Sequence, residues 1–276
     1  MNRRGFTLVE LLIATIVAGI LGTALARLLV NDSKFVARQE AMLSARSTAR
    51  TAMNWMATEL RMISDSGLIA ASGSSVTLRV PYAFGVICER SSNLLVVSLM
   101  PTDSLTYATA VAEGLAWRRS TGEYQTLSGV GVSPSTDNAA CTIDSVRVIP
   151  DGQLVGLSGT PAGAPLQPPA GSIGYLYQIV TYQFAASTDL PGRIGLWRQA
   201  GSGANEELVA PFDASAGFGF LVGSSLDALD TPPADLETVS GLELRLVGAS
   251  EFTPRGASGP QTFDLTTQLR FANRGH

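Results

Sequence analysis

The chain begins with a long apolar segment. Residues 6–26 are almost all apolar or small, and Glu10 is the one ionisable side chain among them. About 20 such residues, coiled into an α-helix, are enough to cross the hydrocarbon core of a bilayer. Arg3 and Arg4 precede the segment, and basic residues next to an apolar span favour the cytoplasmic side. The pattern predicts a membrane-spanning helix over residues 6–30, with the rest of the chain outside the cytoplasm.

The pattern stays helical but becomes amphipathic over residues 31–67. Met53 and Leu60 share a face with apolar side chains that recur every seven residues. The repeating positions are Phe35, Met42, Ala49, Met56 and Ile63. Asp65-Ser66-Gly67 is typical of a helix end. These features predict one continuous helix of about 60 residues, ~90 Å long, whose second half packs against the head. A coiled-coil seam is the alternative.

Short β-prone runs separated by glycine, serine and proline fill residues 68–276. Runs of this kind favour antiparallel hairpins over βαβ units. The candidate strands are Val76–Val80, Gly85–Cys88, Leu94–Leu99, Leu115–Arg118, Ile143–Ile149, Ile173–Phe184, Ile194–Arg198, Phe218–Val222, Leu242–Val247 and Phe263–Phe271. Residues 156–172, rich in Gly, Pro and Ala, predict a surface loop or an internal boundary. The predicted fold class is α+β, a long N-terminal α-helix packed on an antiparallel β-sheet head.

An ordinary secretory signal peptide does not account for this N-terminus. The polar leader covers only residues 1–5, and the apolar run exceeds a typical signal core. Residues 24–26, Ala-Leu-Ala, match an Ala-x-Ala cleavage site, so the pattern alone leaves that alternative open. It leaves Glu10 unexplained, because a lone carboxylate in a lipid-facing helix costs at least about 2.5 kcal/mol. We expect its partner to come from another chain or from processing; the alternative is a protonated carboxyl near the membrane surface.

Residues 4–12, Arg-Gly-Phe-Thr-Leu-Val-Glu-Leu-Leu, resemble the prepilin cleavage and methylation motif. The resemblance implies that a prepilin peptidase and N-methyltransferase cuts between Gly5 and Phe6 and methylates the new amine of Phe6. It also implies that Glu10 and Phe6 are assembly residues, because the amine of Phe6 pairs with Glu10 of a neighbouring subunit. Such a buried ion pair fixes register more reliably than it adds stability.

Residues 175–271, with Gly195-Leu196-Trp197-Arg198 and a later strand at 239–246, resemble PilW-type minor pilins and GspJ-type minor pseudopilins. This looser resemblance implies a pilin-like fold and a minor structural subunit of a type IV pilus or a type II secretion pseudopilus. The implied partners are other pilins or pseudopilins, prepilin peptidase and an inner-membrane assembly platform. The implied location is the inner membrane, single-pass with the head outside the cytoplasm, and afterwards the filament in the periplasm or at the cell surface.

Cys88 and Cys141 are the only cysteines. In an exported protein a disulfide between them is the default expectation. Two unpaired buried thiols are the alternative. Closing this loop would stabilise the fold by roughly 4 kcal/mol in the chain-entropy model.

Charge is unevenly distributed along the chain. Residues 1–67 carry eight basic and five acidic side chains, whereas residues 68–276 carry eleven basic and eighteen acidic ones. An acidic outer domain argues against nucleic-acid binding, which needs clustered arginine and lysine. The arginines of the amphipathic helix lack interleaved aromatic residues for base stacking, so they predict a solvated face.

The sequence offers little for catalysis. His276 is the only histidine and the last residue, which argues against a Ser-His-Asp or Cys-His centre. We expect no enzyme activity, no cofactor and no metal site. An acidic loop could hold calcium, as some pseudopilins do, but its spacing is not that of an EF-hand and predicts a solvated loop. Its carboxylates are Asp227, Asp230, Asp235 and Glu237.

These observations leave two classes of function. The first is a structural filament subunit. The alternative is a membrane-anchored envelope protein with an adhesive or binding head.

Overall fold

The computed structural model describes residues 7–64, 66–90, 94–135, 141, 146, 148–159 and 168–272. Helix α1 (Leu8–Leu60) is one continuous α-helix of 53 residues, which confirms the prediction of an unbroken helix. The head contacts the helix directly where α1 ends. The backbone N–H of Ala272, in the head, donates to the carbonyl of Arg61 at 3.2 Å. The helix therefore stops ahead of the end predicted at residues 65–67, of which Asp65 lies outside the described residues.

An antiparallel sheet of thirteen strands forms the head in the described part of the chain. The strands are β1 (Leu68–Ser72), β2 (Ser75–Arg90), β3 (Leu94–Leu99), β4 (Gly114–Arg118), β5 (Tyr124–Ser128), β6 (Gly131–Ser135), β7 (Leu154–Ser158), β8 (Ile173–Ala186), β9 (Ile194–Ala200), β10 (Asn205–Phe212), β11 (Gly217–Val222), β12 (Val239–Ala249) and β13 (Thr262–Arg270). The main path runs β11-β12-β10-β9-β8-β2-β3-β7-β6. Beside it, β13 pairs with β12, β1 pairs with β2, and β4 joins β5 to β8. The predicted α+β class, a long helix on an antiparallel sheet, is confirmed.

Two long strands, β2 and β8, join the two halves of the head. Residues 75–86 of β2 pair with residues 173–183 of β8, with an irregularity after Pro81. One half of the head shares a helix-side core with α1. Its largest members are Met56, Leu60, Ile63, Leu78, Tyr182, Phe218 and Phe220. The other half has an outer core whose described members include no residue of α1. That core is centred on Ile87, Leu99, Leu115, Leu157 and Leu176.

Small side chains allow α1 to lie close against β12. Ala45, Ala49 and Ala52 are fully buried, and β12 presents Gly248 to this face. A Cβ atom added to Gly248 would overlap the backbone carbonyl oxygen of Ala45. The two backbones are therefore in direct contact, and this position requires glycine because no side chain fits between them.

The buried face of α1 differs in part from the predicted seven-residue stripe. Ala49 and Met56 are buried as predicted, whereas Phe35 is 60% exposed and Met42 is 38% exposed. An ideal straight helix drifts about 20° per heptad relative to a strict seven-residue repeat. The earlier members of the repeat therefore rotate away from the sheet. The observed buried face begins at Ala41 and advances in three- and four-residue steps.

A polar network also joins α1 to the sheet. The Arg198 guanidinium donates to both Glu59 carboxylate oxygens, with Nη2–Oε1 at 2.8 Å and Nε–Oε2 at 3.4 Å. The hydroxyl of Tyr182, which lies opposite Arg198 in the β8–β9 ladder, donates to Glu59 Oε2 at 2.6 Å. Burial, and then the neighbouring Glu59 charge, raise the pKa of the Tyr182 phenol. The network therefore places a neutral phenol and an ion pair at the helix–sheet boundary, where they fix the rotation of α1.

Most candidate strands are present, with wider bounds than predicted. The runs 76–80 and 85–88 belong to the single strand β2. The loop predicted over residues 156–172 is wrong at its start, because residues 156–158 complete β7 and Leu157 fills the outer core. The candidate strand 143–149 lies largely outside the described residues. The short helix α2 (Pro101–Tyr107), a 3₁₀ turn at Leu236–Thr238 and the five strands β1, β5, β6, β7 and β10 were not predicted.

Cys88 and Cys141 form a disulfide, with their Cα atoms 4.4 Å apart, which confirms the predicted pairing. The bond lies in a small buried cluster with Val96 and Leu154. It closes a sequence separation of 53 residues. Constraining a loop of that length in the unfolded chain is worth about 4 kcal/mol in the entropy model.

The contact between α1 and β12 predicts that Gly248→Ala destabilises the protein. The added methyl group must displace either the helix or the strand, and such overpacking costs about 1–3 kcal/mol. Chemical denaturation of the full-length protein in detergent, followed by near-ultraviolet circular dichroism, measures the change. Gly259→Ala is the matched control, because a Cβ atom there meets no neighbour within 4 Å. Equal stabilities for the two variants would contradict the close approach.

Candidate processing and assembly site

The predicted site lies at the start of α1 and is partly outside the described residues. Gly5 and Phe6, the two residues flanking the predicted cut, are not described, and neither is the leader. The described chain begins at Thr7, immediately after them. The structure therefore shows the part of the site that would remain on the mature chain, from Thr7 to Glu10.

Thr7 and Glu10 form a reciprocal capping box at the N-terminus of α1. The backbone N–H of Thr7 donates to Glu10 Oε2 at 3.0 Å, and its hydroxyl donates to the same oxygen at 2.9 Å. In return, the Glu10 backbone N–H donates to Thr7 Oγ1 at 3.3 Å. Helix N-termini leave backbone N–H groups unpaired and favour negative charge. The capping box satisfies the N–H groups of Thr7 and Glu10, and the Glu10 carboxylate supplies the negative charge.

The capping box gives Glu10 partners that the sequence analysis did not identify. We expected its partner from another chain or from processing, yet Thr7 supplies two donors within the same helix. The Thr-x-x-Glu spacing is the sequence signal that could have identified Thr7. Both donors are neutral, so they orient the carboxylate without neutralising it. Both of these hydrogen bonds are accepted by Glu10 Oε2. Cleavage after Gly5 would leave Thr7 on the mature chain, so the capping box would persist.

The first half of α1, which carries Glu10, is exposed and is called here the bare half of the helix. From Thr7 to Glu40, no described residue is buried. Large apolar side chains are exposed throughout the segment from Leu8 to Val30. The most exposed are Leu8, Val9, Leu11, Ile20, Leu25, Leu28 and Leu29, each at 61% or more. Among the helices of the described residues, α1 is the one long and apolar enough to cross a membrane. Such a surface is stable only against lipid or other proteins, since exposed apolar area is costly in water.

The four carboxylates of the acidic loop, Asp227, Asp230, Asp235 and Glu237, are exposed, as expected of a solvated loop. The Asp230 carboxylate accepts from Arg245 at 2.5 Å, and Asp235 caps the 3₁₀ turn by accepting from the Glu237 backbone N–H. Over the described ranges, no three Asp, Glu, His or Cys side chains gather as a metal ion would require. His276, the lone histidine, lies outside the described residues.

Comparison with known proteins adds to this geometry. A family model described as the prokaryotic N-terminal methylation motif matches residues 1–26. That stretch contains the predicted cut, Phe6, the capping box and most of the bare apolar helix. Searches of curated proteins and of solved structures gave no match to the chain. The matched motif implies processing by prepilin peptidase and assembly with other pilins, and it supports a type IV prepilin-like protein anchored through α1.

Proposed function

We propose that this chain is a minor pilin or pseudopilin, a structural subunit of a type IV pilus or a type II secretion pseudopilus. The observation that carries the proposal is the capped carboxylate of Glu10 at the start of a bare apolar helix, directly after a prepilin-type cleavage motif. The helix supplies the membrane anchor and the surface for assembly. Glu10 supplies a fixed negative charge for a neighbour's new amine.

The proposed mechanism begins in the inner membrane. Arg3 and Arg4 hold the leader in the cytoplasm, and the helix places the head on the opposite side. Prepilin peptidase then cuts between Gly5 and Phe6, which removes both arginines and creates a cationic amine. Methylation converts this primary amine to a secondary amine, which stays protonated and keeps the positive charge. The amine then pairs with Glu10 of an adjacent subunit as the helices leave lipid for the filament.

The capping box makes this pairing specific. Thr7 binds Glu10 Oε2, so the carboxylate is held in one orientation before a neighbour arrives. A buried ion pair gains little net stability, but breaking one by removing a partner costs about 3–5 kcal/mol. The pair would therefore select the correct register between helices. Because Glu10 is present, we place this subunit below the extreme tip of the filament, where a further subunit can supply the amine.

The proposed role is structural rather than catalytic, with no cofactor and no nucleic-acid partner. The partners are other pilins or pseudopilins, prepilin peptidase and the inner-membrane assembly platform. The large head, with its own disulfide and two cores, favours a minor subunit over a shaft subunit that must pack in many copies. One observation favours the alternative of an envelope protein with a binding head. Leu105 in α2 and Val111 just after it are 76% and 77% exposed, as in a surface that contacts a partner.

Processing between Gly5 and Phe6 is the first testable consequence. Mass spectrometry of the membrane-extracted protein should find a mature chain that begins at N-methylated Phe6. Gly5→Leu should block this cut and leave the precursor. Ala26→Leu is the matched control, because it disrupts the Ala-x-Ala site of an ordinary signal peptide and should leave processing unchanged. A mature chain that begins after Ala26 would show that a signal peptidase removes α1's apolar half.

The charge of Glu10 provides the second test. Glu10→Gln keeps an acceptor for Thr7, because glutamine also closes a capping box, but it removes the negative charge. We expect Glu10→Gln and Glu10→Ala each to reduce copurification with other pilins by at least about tenfold, since an unpaired buried charge costs about 3–5 kcal/mol. Membrane insertion and cleavage should persist in both. Asp32→Asn, which removes a charge beyond the apolar segment, is the control.

The two Glu10 variants separate the ion pair from the cap. Wild-type assembly by Glu10→Gln together with failure by Glu10→Ala would assign the effect to the capping box alone. Protease sensitivity of the head in either variant would show that Glu10 acts on folding rather than on assembly.

A further inference from the structure

Two backbone contacts fix how the sheet lies along α1. Near one end of β12, Gly248 meets the backbone of Ala45. Near the other end, Ala272 donates to the carbonyl of Arg61, and its neighbour Phe271 donates to Ser240 of β12 at 3.1 Å. From Ala45 to Arg61 the helix rises about 24 Å, close to the length of strand between these contacts. Strand β12 therefore runs antiparallel to α1, and its C-terminal end points towards the membrane-spanning half.

The loop that follows β12 continues in the same direction. Residues 250–261 connect β12 to β13, and Gly256 lies in this loop beside Lys34. The Lys34 Cε and Nζ atoms are 3.9 Å from the Cβ position of Gly256. A groove between the loop and the helix is lined by Ser33 and Ala37 on one side and by Phe252 and Arg255 on the other. The loop thus extends along α1 below the first buried helix residue, Ala41.

The apolar surface of α1 places this loop relative to a bilayer. The exposed apolar run ends at Val30, and Asn31 and Asp32 follow it. Arg27 lies within the last turn of this run, where its long side chain can extend to the polar surface. Lys34 is four residues beyond Val30, a rise of about 6 Å. The polar headgroup layer on each face of a bilayer is roughly 5–8 Å thick, the difference between the full thickness and the hydrocarbon core. Lys34, and with it Gly256, therefore lies at the depth of the headgroups.

The chemistry of the loop fits that depth. Phe252 is 78% exposed, and aromatic side chains are favoured where an apolar ring can enter the membrane–water interface. Arg255 is exposed and adjoins Gly256, the residue that lies beside Lys34. Lys34 and Arg255 can each bind a lipid phosphate. Three acidic residues, Asp32, Glu40 and Glu251, lie around them, so any attraction to lipid is confined to these two side chains.

We propose that the loop between β12 and β13 is a membrane-contact element that lies in the phospholipid headgroup layer beside α1. The inference rests on the membrane-anchored subunit of the proposed function. Its partner is the bilayer that holds the subunit before assembly. The contact gives the head a fixed orientation against the membrane surface, in addition to the single anchor of α1. The loop must leave the lipid when the subunit enters a filament.

Fluorescence quenching in vesicles tests this placement. The full-length protein, with the native disulfide intact, receives one added cysteine through Thr253→Cys, which keeps Phe252 and Arg255. A nitrobenzoxadiazole label on that cysteine is read in vesicles of phosphatidylcholine and phosphatidylglycerol at three to one, with or without headgroup nitroxide lipids. We expect roughly a twofold loss of fluorescence, because the label lies at headgroup depth.

Two matched labels complete the design. Leu226→Cys is at an exposed position beside Gln268, which donates to the Leu226 carbonyl and pairs with Glu243 of β12. Glu243 is about 20 Å along the strand from Ala249, the β12 residue nearest the loop, so this label should not be quenched. Val17→Cys lies in the apolar half of α1, and its label should be quenched by nitroxides on the acyl chains. The Val17 label therefore reports whether α1 is inserted in the bilayer, independently of the loop.

The outcomes separate the inference from the function on which it rests. Quenching at Val17 and Thr253 but not at Leu226 supports the membrane contact. Quenching at Val17 alone overturns the contact and leaves the anchor intact. Crosslinking from Thr253→Cys to a second copy, without quenching, overturns it too, because another subunit then covers the loop. Absence of quenching at Val17 overturns the anchor and the inference together.

Discussion

The backbone of α1 touches the backbone of β12 where Ala45 faces Gly248. That contact requires small residues on both elements, and three buried alanines on the helix supply them on one side. Once the two backbones are this close, the larger side chains of Met56 and Leu60 reach the helix-side core, and Glu59 comes within hydrogen-bonding distance of Arg198 and Tyr182. The docking therefore sets the direction of β12 along the helix, and with it the end of the head that points towards the membrane.

The same docking divides α1 into two parts with different requirements. Beyond Ala41 the helix is covered by its own head, and its stability comes from burial within the chain. From Thr7 to Glu40 none of its described residues is buried, although the loop after β12 lies beside Lys34. This part of the helix nevertheless begins with a complete capping box. Under the proposed function, this capped apolar helix lies first in lipid and then against other subunits. In both environments the internal hydrogen bonds satisfy the backbone, so the helix can move between them without unfolding.

Local patterns predicted much of this structure, and long-range packing determined what they missed. The apolar run, the continuous helix and most of the strands follow from periodicity, and Glu10 was identified by its isolation in an apolar segment. The exposure of Phe35 and Met42 follows from the drift of a straight helix against a strict heptad repeat, and the position at which the head begins to cover α1 is not encoded in that repeat. Helix α2 buries none of its residues, so it leaves little hydrophobic pattern to detect. The capping role of Thr7 follows from its spacing to Glu10, but a neutral hydroxyl does not balance a charge, so the isolated carboxylate alone predicts a charged partner instead.

We infer that other subunits cover the exposed apolar half of α1. Photocrosslinking in living cells tests it most directly, with a benzophenone amino acid placed at Ile16 in the full-length protein. If the helix assembles with its own kind, ultraviolet irradiation should link it to other prepilin-like subunits, and blocking the assembly machinery should abolish those links. If cells with active assembly show links to lipid alone, the bare half of α1 is only a membrane anchor, and a filament role is contradicted.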